Sequence, residues 1–237
     1  KYKKKDEIKF IGQFKNKINS KNNSITKSLK ILRKYHLINK KKKFKIVVEK
    51  RIPVFAGLGG GTSNAAYLIK YFLKKKVTQN FLKVFEEAVG SDFRLFSHNQ
   101  SFQKNLKKIL KFKKRYNFYF ILVYPNIQCS TKQIYSKVVN FNSPLKNDIS
   151  KIENKSKYVQ FLQNEKNDLQ SIVEKKHGKI KKILALIKAQ KKSLFSRMTG
   201  SGSVCFGVFP DKKSANLSLQ AIKKKLPNYW CAMAKSI

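Results

Sequence analysis

The chain has 237 residues, enough to bury a sizeable core as one large domain or two small ones. Its formal charge is +42, but only five basic residues are Arg (Arg33, Arg51, Arg94, Arg115, Arg197) and the lysines are spread over every segment. That pattern points to AT-rich residue usage and away from a specific nucleic-acid reader, which favours the arginine fork. No apolar run approaches bilayer length, no secretory h-region follows the first residues, and Cys129, Cys205 and Cys231 form neither a disulfide framework nor a metal-spaced cluster, so a cytoplasmic protein with no membrane partner is expected.

Asp6 to Phe14 predicts a strand, with Ile8, Phe10 and Gly12 alternating against polar neighbours. Asn22 or Asn23 caps a helix that puts Ile25, Leu29, Leu32 and His36 on one face. Residues 44–50 predict a second strand, ended by Pro53. Gly57, Gly59, Gly60 and Gly61 then lead into a helix over 62–75, capped by Thr62 or Ser63, with Ala65, Ala66, Ile69, Phe72 and Leu73 on its apolar face. Glycines let backbone N–H groups approach a ligand, and a helix start adds unpaired donors and the positive end of its dipole, which together suit a phosphate. No Gly-Lys-Ser/Thr closes the loop as in a Walker A motif, and Thr62 stands where a dinucleotide fingerprint needs its third glycine.

A helix through Phe81, Leu82, Val84, Phe85, Ala88 and Val89 stops at Gly90. Residues 97–115 are basic without a clean period, and the domain boundary falls near their end, giving domains of 1–116 and 117–237. Residues 118–124 predict a buried strand; 131–139, 165–176 and 178–191 predict helices; then come a strand at 204–209, a helix at 212–225 and a closing strand at 229–234.

With twelve acidic residues, candidates for a general base are few. Asp6, Glu7, Glu49, Glu86, Glu87, Asp148, Glu153, Glu165, Glu174 and Asp211 sit among polar or lysine-rich positions and suit the surface, while Asp168 suits a helix cap. Asp92 stands apart, just after Gly90-Ser91 and ahead of Phe93, Leu95 and Phe96; the pattern fits a helix cap and a catalytic base equally. A second glycine-rich stretch, Arg197 to Ser203, offers the hydroxyls of Thr199, Ser201 and Ser203 beside Gly200 and Gly202. His36, His98 and His177 are isolated, so no histidine metal site is expected.

Taken together, the run from Pro53 through Ala56-Gly-Leu-Gly-Gly-Gly-Thr-Ser-Asn-Ala-Ala66, Gly90-Ser-Asp92, and Thr199-Gly-Ser-Gly-Ser followed by Cys205-Phe-Gly207 resemble the GHMP kinase superfamily. Within it the pattern is most similar to the diphosphocytidyl-methylerythritol kinases of non-mevalonate isoprenoid synthesis. Asn23-Ser-Ile, Tyr124-Pro125, Ser130-Thr-Lys with Tyr135, and Asn167-Asp-Leu169 add to the likeness, which runs from about Asp6 to the C-terminus. The resemblance implies an α+β fold, with an ATP-binding, ribosomal-protein-like first half and a second half of antiparallel sheet and helices. It implies ATP and Mg2+ as cofactors, with Pro53, Ala56, Gly57, Leu58, Gly59, Gly60, Gly61, Thr62, Ser63 and Asn64 around the nucleotide and Thr62 or Ser63 near the metal. Asp92 would take the proton of the substrate's 2-hydroxyl, and Thr131, Thr199, Gly200, Ser201 and Gly202 would form the substrate region.

The implied substrate is cytidine-diphosphate methylerythritol, with no specific nucleic-acid partner; a homodimer stays open. Rival readings are a sister kinase acting on homoserine or mevalonate, and a basic nucleic-acid-binding module. The sequence departs from the family pattern in three places. The family's early catalytic Lys and Gly-Tyr/Phe-His stretch are not found, so the sequence is expected to begin one motif late and to lack activity as written. Gly-Ser-Asp-Val-Pro-Phe is here Gly90-Ser-Asp-Phe-Arg-Leu95, and the glycine-rich stretch after it is Gln100-Ser-Phe-Gln-Lys104.

Overall fold

The computed structural model describes residues 5–73, 79–106, 108–140 and 149–236. Residues 74–75 of the expected helix, and Asp148, lie outside these. The chain divides into two units: Lys1–Val54, Gly59–Asn99 and Asn105–Lys108 form one, and Phe55–Leu58, Gln100–Lys104 and Ile109–Ile237 the other. The glycine loop is therefore shared, since the chain passes from one unit to the other after Leu58.

In the first unit, β1 (Glu7–Ile11), α1 (Ser24–Lys34) and β2 (Lys45–Glu49) make a β-α-β element. The strands pair in parallel, Ile8 opposite Ile46 and Phe10 opposite Val48. Asn23 rather than Asn22 caps α1, because its Oδ1 accepts the N–H groups of Ile25 and Thr26 at 3.0 and 3.1 Å while Thr26 Oγ1 accepts that of Asn23. His36 lies beyond the helix at φ 56°, so it does not continue the apolar face. Helices α2 (Gly60–Leu73) and α3 (Gln79–Val89) pack with α1 around Leu32, Ala65, Ala66, Ile69, Phe85 and Phe93. Phe85 and Phe93 stack with centroids 5.6 Å apart. Two carboxylates expected at the surface are tied into this unit. Asp6 accepts Arg33 Nη1 and Nη2 at 2.5 and 2.8 Å and the Phe44 N–H at 3.0 Å, and Glu86 pairs with Arg94. Arg33 holds the Asp6 carboxyl below its usual range.

The second unit is built on β5 (Tyr119–Tyr124), β6 (Phe195–Met198), β7 (Cys205–Phe209) and β8 (Trp230–Lys235), in the order β6-β7-β5-β8 and antiparallel throughout. Ile121, Val123, Ile180, Ile187, Phe209, Ala215 and Ile222 fill its core with side chains from α6 (Gln170–Lys176), α7 (Lys179–Lys188) and α8 (Lys212–Lys225). Gly207 is needed there, since a Cβ would lie 2.2 Å from Ile187 Cγ2.

Several sequence expectations need correction. Residues 97–115, which show no period, contain the paired strands β3 (Ser101–Asn105) and β4 (Lys108–Lys111). The helix expected over 131–139 is α4 (Thr131–Tyr135), and α5 (Lys155–Asn164) has no counterpart in the periodicity. The residue next to α6 is Leu169, which forms no side-chain cap bond. Asn167 Oδ1 accepts the Leu169 N–H at 3.0 Å. Asp211 caps α8 by accepting the Ser214 N–H at 2.7 Å. Among the described residues no helix is long and apolar enough to cross a membrane.

Candidate active site

The first unit carries the turn into α2. Gly59 has φ 61°, and its carbonyl accepts the first helical bond, from the Ser63 N–H at 2.9 Å. The helix thus begins at Gly60, and Thr62 and Ser63 lie inside its first turn rather than capping it, which corrects the expectation. The N–H groups of Gly60, Gly61 and Thr62 precede the helical ladder and remain as donors at the positive end of the dipole. Space above them is open. A Cβ on Gly60 would meet only Lys50 Nζ, at 3.8 Å, and one on Gly61 only Ser24 Oγ, at 3.8 Å. A run of glycines that packing does not require leaves a cradle over backbone donors, which fits a phosphate chain.

Asp92 sits beside this turn. It lies in a 3-10 turn over Ser91–Ser97, behind Gly90 at φ 139°, which holds the cap position and has no side chain to form a cap bond. Asp92 Oδ2 is 4.0 Å from the Cβ position of Gly59, the carboxylate is exposed, and Ser91 Oγ donates to its Oδ1 at 3.4 Å. Among the described residues no Lys or Arg pairs with it. In a chain of 54 basic residues this is an unpaired acid at a phosphate-shaped turn. Thr62 Oγ1 donates to the Val89 carbonyl at 3.4 Å, beneath Gly90. No cluster of three His, Cys, Asp or Glu side chains occurs among the described residues.

The second unit holds the front of the glycine loop. The Phe55, Ala56 and Gly57 carbonyls accept from Cys129 N at 3.2 Å, Val204 N at 3.2 Å and Thr199 Oγ1 at 2.8 Å. Pro53, in the first unit, is buried, and Ala56 is 2% exposed. Gly57 has φ 74°, and a Cβ there would stand 2.2 Å from the Thr199 carbonyl oxygen. The Thr199–Ser203 loop is itself clamped, because Asn167 Nδ2 donates to the carbonyls of Met198 and Gly200 at 2.9 and 2.8 Å. Thr131 Oγ1 and Ser201 Oγ lie 2.9 Å apart, and Ser203 Oγ donates to the Ile127 carbonyl. The structure thus brings Thr131, Thr199, Gly200, Ser201 and Gly202 together with Gly57, and groups Gly59 to Ser63 with Asp92. Sequence reasoning passed over Lys50, although the inward alternation of Ile46 and Val48 along β2 reaches it next.

Comparison with known proteins agrees with this anatomy. Residues 23–87 match the model of the GHMP kinases N terminal domain, and 148–228 that of the GHMP kinases C terminal domain. A 4-diphosphocytidyl-2-C-methyl-D-erythritol kinase of Pelagibacter ubique is 38% identical over 99% of this chain and 83% of its own length. One from Buchnera aphidicola of Schizaphis graminum is 34% identical over 94% of this chain and 74% of its own. Among solved structures, a 4-(cytidine 5'-diphospho)-2C-methyl-D-erythritol kinase superposes with a TM-score of 0.69 at 18% identity, covering 98% of this chain and 83% of that one, which supports the fold. The chain belongs to the GHMP kinases, in the branch of the 4-diphosphocytidyl-2-C-methyl-D-erythritol kinases.

Proposed function

We propose that this kinase transfers the γ-phosphoryl group of ATP to the 2-hydroxyl of 4-diphosphocytidyl-2-C-methyl-D-erythritol, with Asp92 as the general base. The carrying observation is the unpaired Asp92 carboxylate beside the Gly59 turn. The free N–H groups at the start of α2 bind phosphate oxygens, and Thr62 or Ser63 serves as the hydroxyl ligand beside Mg2+. Bound Mg2+ would neutralise negative charge on the transferring group and its leaving oxygens. Asp92 takes the hydroxyl proton as that oxygen bonds to phosphorus and the bond to the ADP oxygen breaks. Phosphoryl transfer asks chiefly for positioning and charge stabilisation, which preset backbone donors supply without reorganising.

In the second unit, Thr131 and the Thr199–Gly202 loop form the substrate region, held in shape by Asn167. The two kinase domains are read as 1–116 and 117–237; the compact units differ from this by placing Phe55–Leu58, Gln100–Lys104 and Ile109 onward in the second. The test is Asp92→Asn, which is close in shape but cannot take the proton. Turnover falls about 10²–10⁴-fold, while the ATP-induced rise in melting temperature persists. Turnover within a few-fold of the parent would remove Asp92 from the reaction. Parent and variant are compared in a version that carries the upstream family motif, and in the same coupled assay that parent turns over the cytidine diphosphate substrate and neither homoserine nor mevalonate.

A further inference from the structure

Lys50 is 5% exposed, the one buried lysine among the described residues. Its backbone is fully used: the N–H donates to the Ile11 carbonyl at 2.7 Å, and its carbonyl accepts from Phe14 at 3.2 Å. Its side chain is not. Among the described residues Nζ has no hydrogen-bond or ion-pair partner. The adjacent Glu49 is taken by Arg51 at 2.8 Å on the exposed side of β2, and Asp92 is not in ion-pair contact. The stem is covered while Nζ keeps some contact with solvent, and the partial desolvation of a charge with no partner pulls the lysine's pKa below its ordinary value. A core position at the end of a strand would be better filled by Leu or Met. What distinguishes the site is its neighbour, since Nζ lies 3.8 Å from the Cβ position of Gly60, over the open N-terminus of α2.

We propose that the Lys50 ammonium is the side-chain cation that pairs with the phosphates of the bound nucleotide at the start of α2. The inference rests on the nucleotide reading of the glycine loop given above. A phosphate there would be held by backbone N–H donors beneath it and by a charge beside it, desolvated together in one place. In such surroundings a charge-assisted hydrogen bond is stronger than one to a surface lysine. The partial desolvation of Nζ is then offset when an anion arrives.

The experiment measures adenosine, ADP and ATP binding by calorimetry to the whole chain, as parent and as Lys50→Met, with melting curves of both without ligand. Loss of one charge-assisted bond predicts ADP and ATP weakened about 10- to 100-fold. Adenosine, which has no phosphate, stays within about 3-fold by the same reasoning. The ligand-free variant melts at or above the parent temperature, because a partly desolvated charge with no partner has been removed. Unchanged ADP affinity overturns the proposal, and so does an equal loss for adenosine, which would make Lys50 part of the nucleoside pocket. Lys50→Gln is the second variant; if neither variant folds, Lys50 is a structural residue and the proposal fails. A parent that binds none of the three ligands refutes the nucleotide reading itself, a different result from a parent and variant that bind ATP alike.

Discussion

Replacing Gly60 by Val separates the binding role of the glycine run from any folding role. Gly60 is the first residue of α2 and has an ordinary helical backbone, so a branched side chain there meets no forbidden angle. Its Cβ would touch nothing but the far end of Lys50, at 3.8 Å, and that end can move. Helix propensity favours Val over Gly by about 0.3 kcal/mol, so the ligand-free protein should melt within about 1 °C of the parent. The two added methyl groups, however, stand over the N–H groups of Gly60, Gly61 and Thr62. ATP at one hundred times its dissociation constant stabilises the parent by about 2.7 kcal/mol, or about 5–10 °C for a chain of this size. Gly60→Val should lose nearly all of that shift. Thermal denaturation with and without ATP and Mg2+ reads both quantities in one experiment. A full ATP shift in the variant would place the phosphates elsewhere, and a large fall in its ligand-free melting point would make the glycine a packing residue.

The opposite outcome is expected at Gly57, where φ is 74° and a Cβ would lie 2.2 Å from the Thr199 carbonyl oxygen. Gly57→Ala should cost on the order of 3 kcal/mol, from left-handed strain and the disturbed Thr199 hydrogen bond, seen as a lower denaturant midpoint. Asp6→Asn should cost about 2 kcal/mol at neutral pH, since Arg33 loses its carboxylate. Because the folded-state pKa of Asp6 is depressed, that contribution is complete above the unfolded value of about 3.9 and is lost as pH falls through the folded value. The stability gap between parent and variant should therefore close in acid, and a gap that persists there would assign it to packing.

What could be read in advance was local. The glycine run, the Asn23 cap and the apolar face of α2 depend on residues within a turn or two of one another; the cap and the apolar face stand where their patterns put them, while the helix starts two residues early, at Gly60. The strands β3 and β4 escaped because lysines and polar residues interrupt them, so no alternation survives. Asp6 and Glu86 looked like surface residues because their partners Arg33 and Arg94 come close only through the fold. Asp92 could not be told from a cap by its neighbours in sequence, and in the fold it lies inside the 3-10 turn, with Gly90 at the cap position. Lys50 was hidden by its own abundance, as one of many lysines in a chain where almost all are solvated.

The Phe55, Ala56 and Gly57 carbonyls take their donors from Cys129, Val204 and Thr199, and the last of these lies 142 residues downstream. On a ribosome adding about 5–20 residues per second, roughly 7–30 s separate the synthesis of Gly57 from that of the hydroxyl it receives. Throughout that interval the front of the loop has no native conformation to settle into, however quickly the first helices form. The nascent chain therefore fixes the front of its glycine loop among the last of its structures. An amino-terminal product released early would leave these carbonyls without their partners.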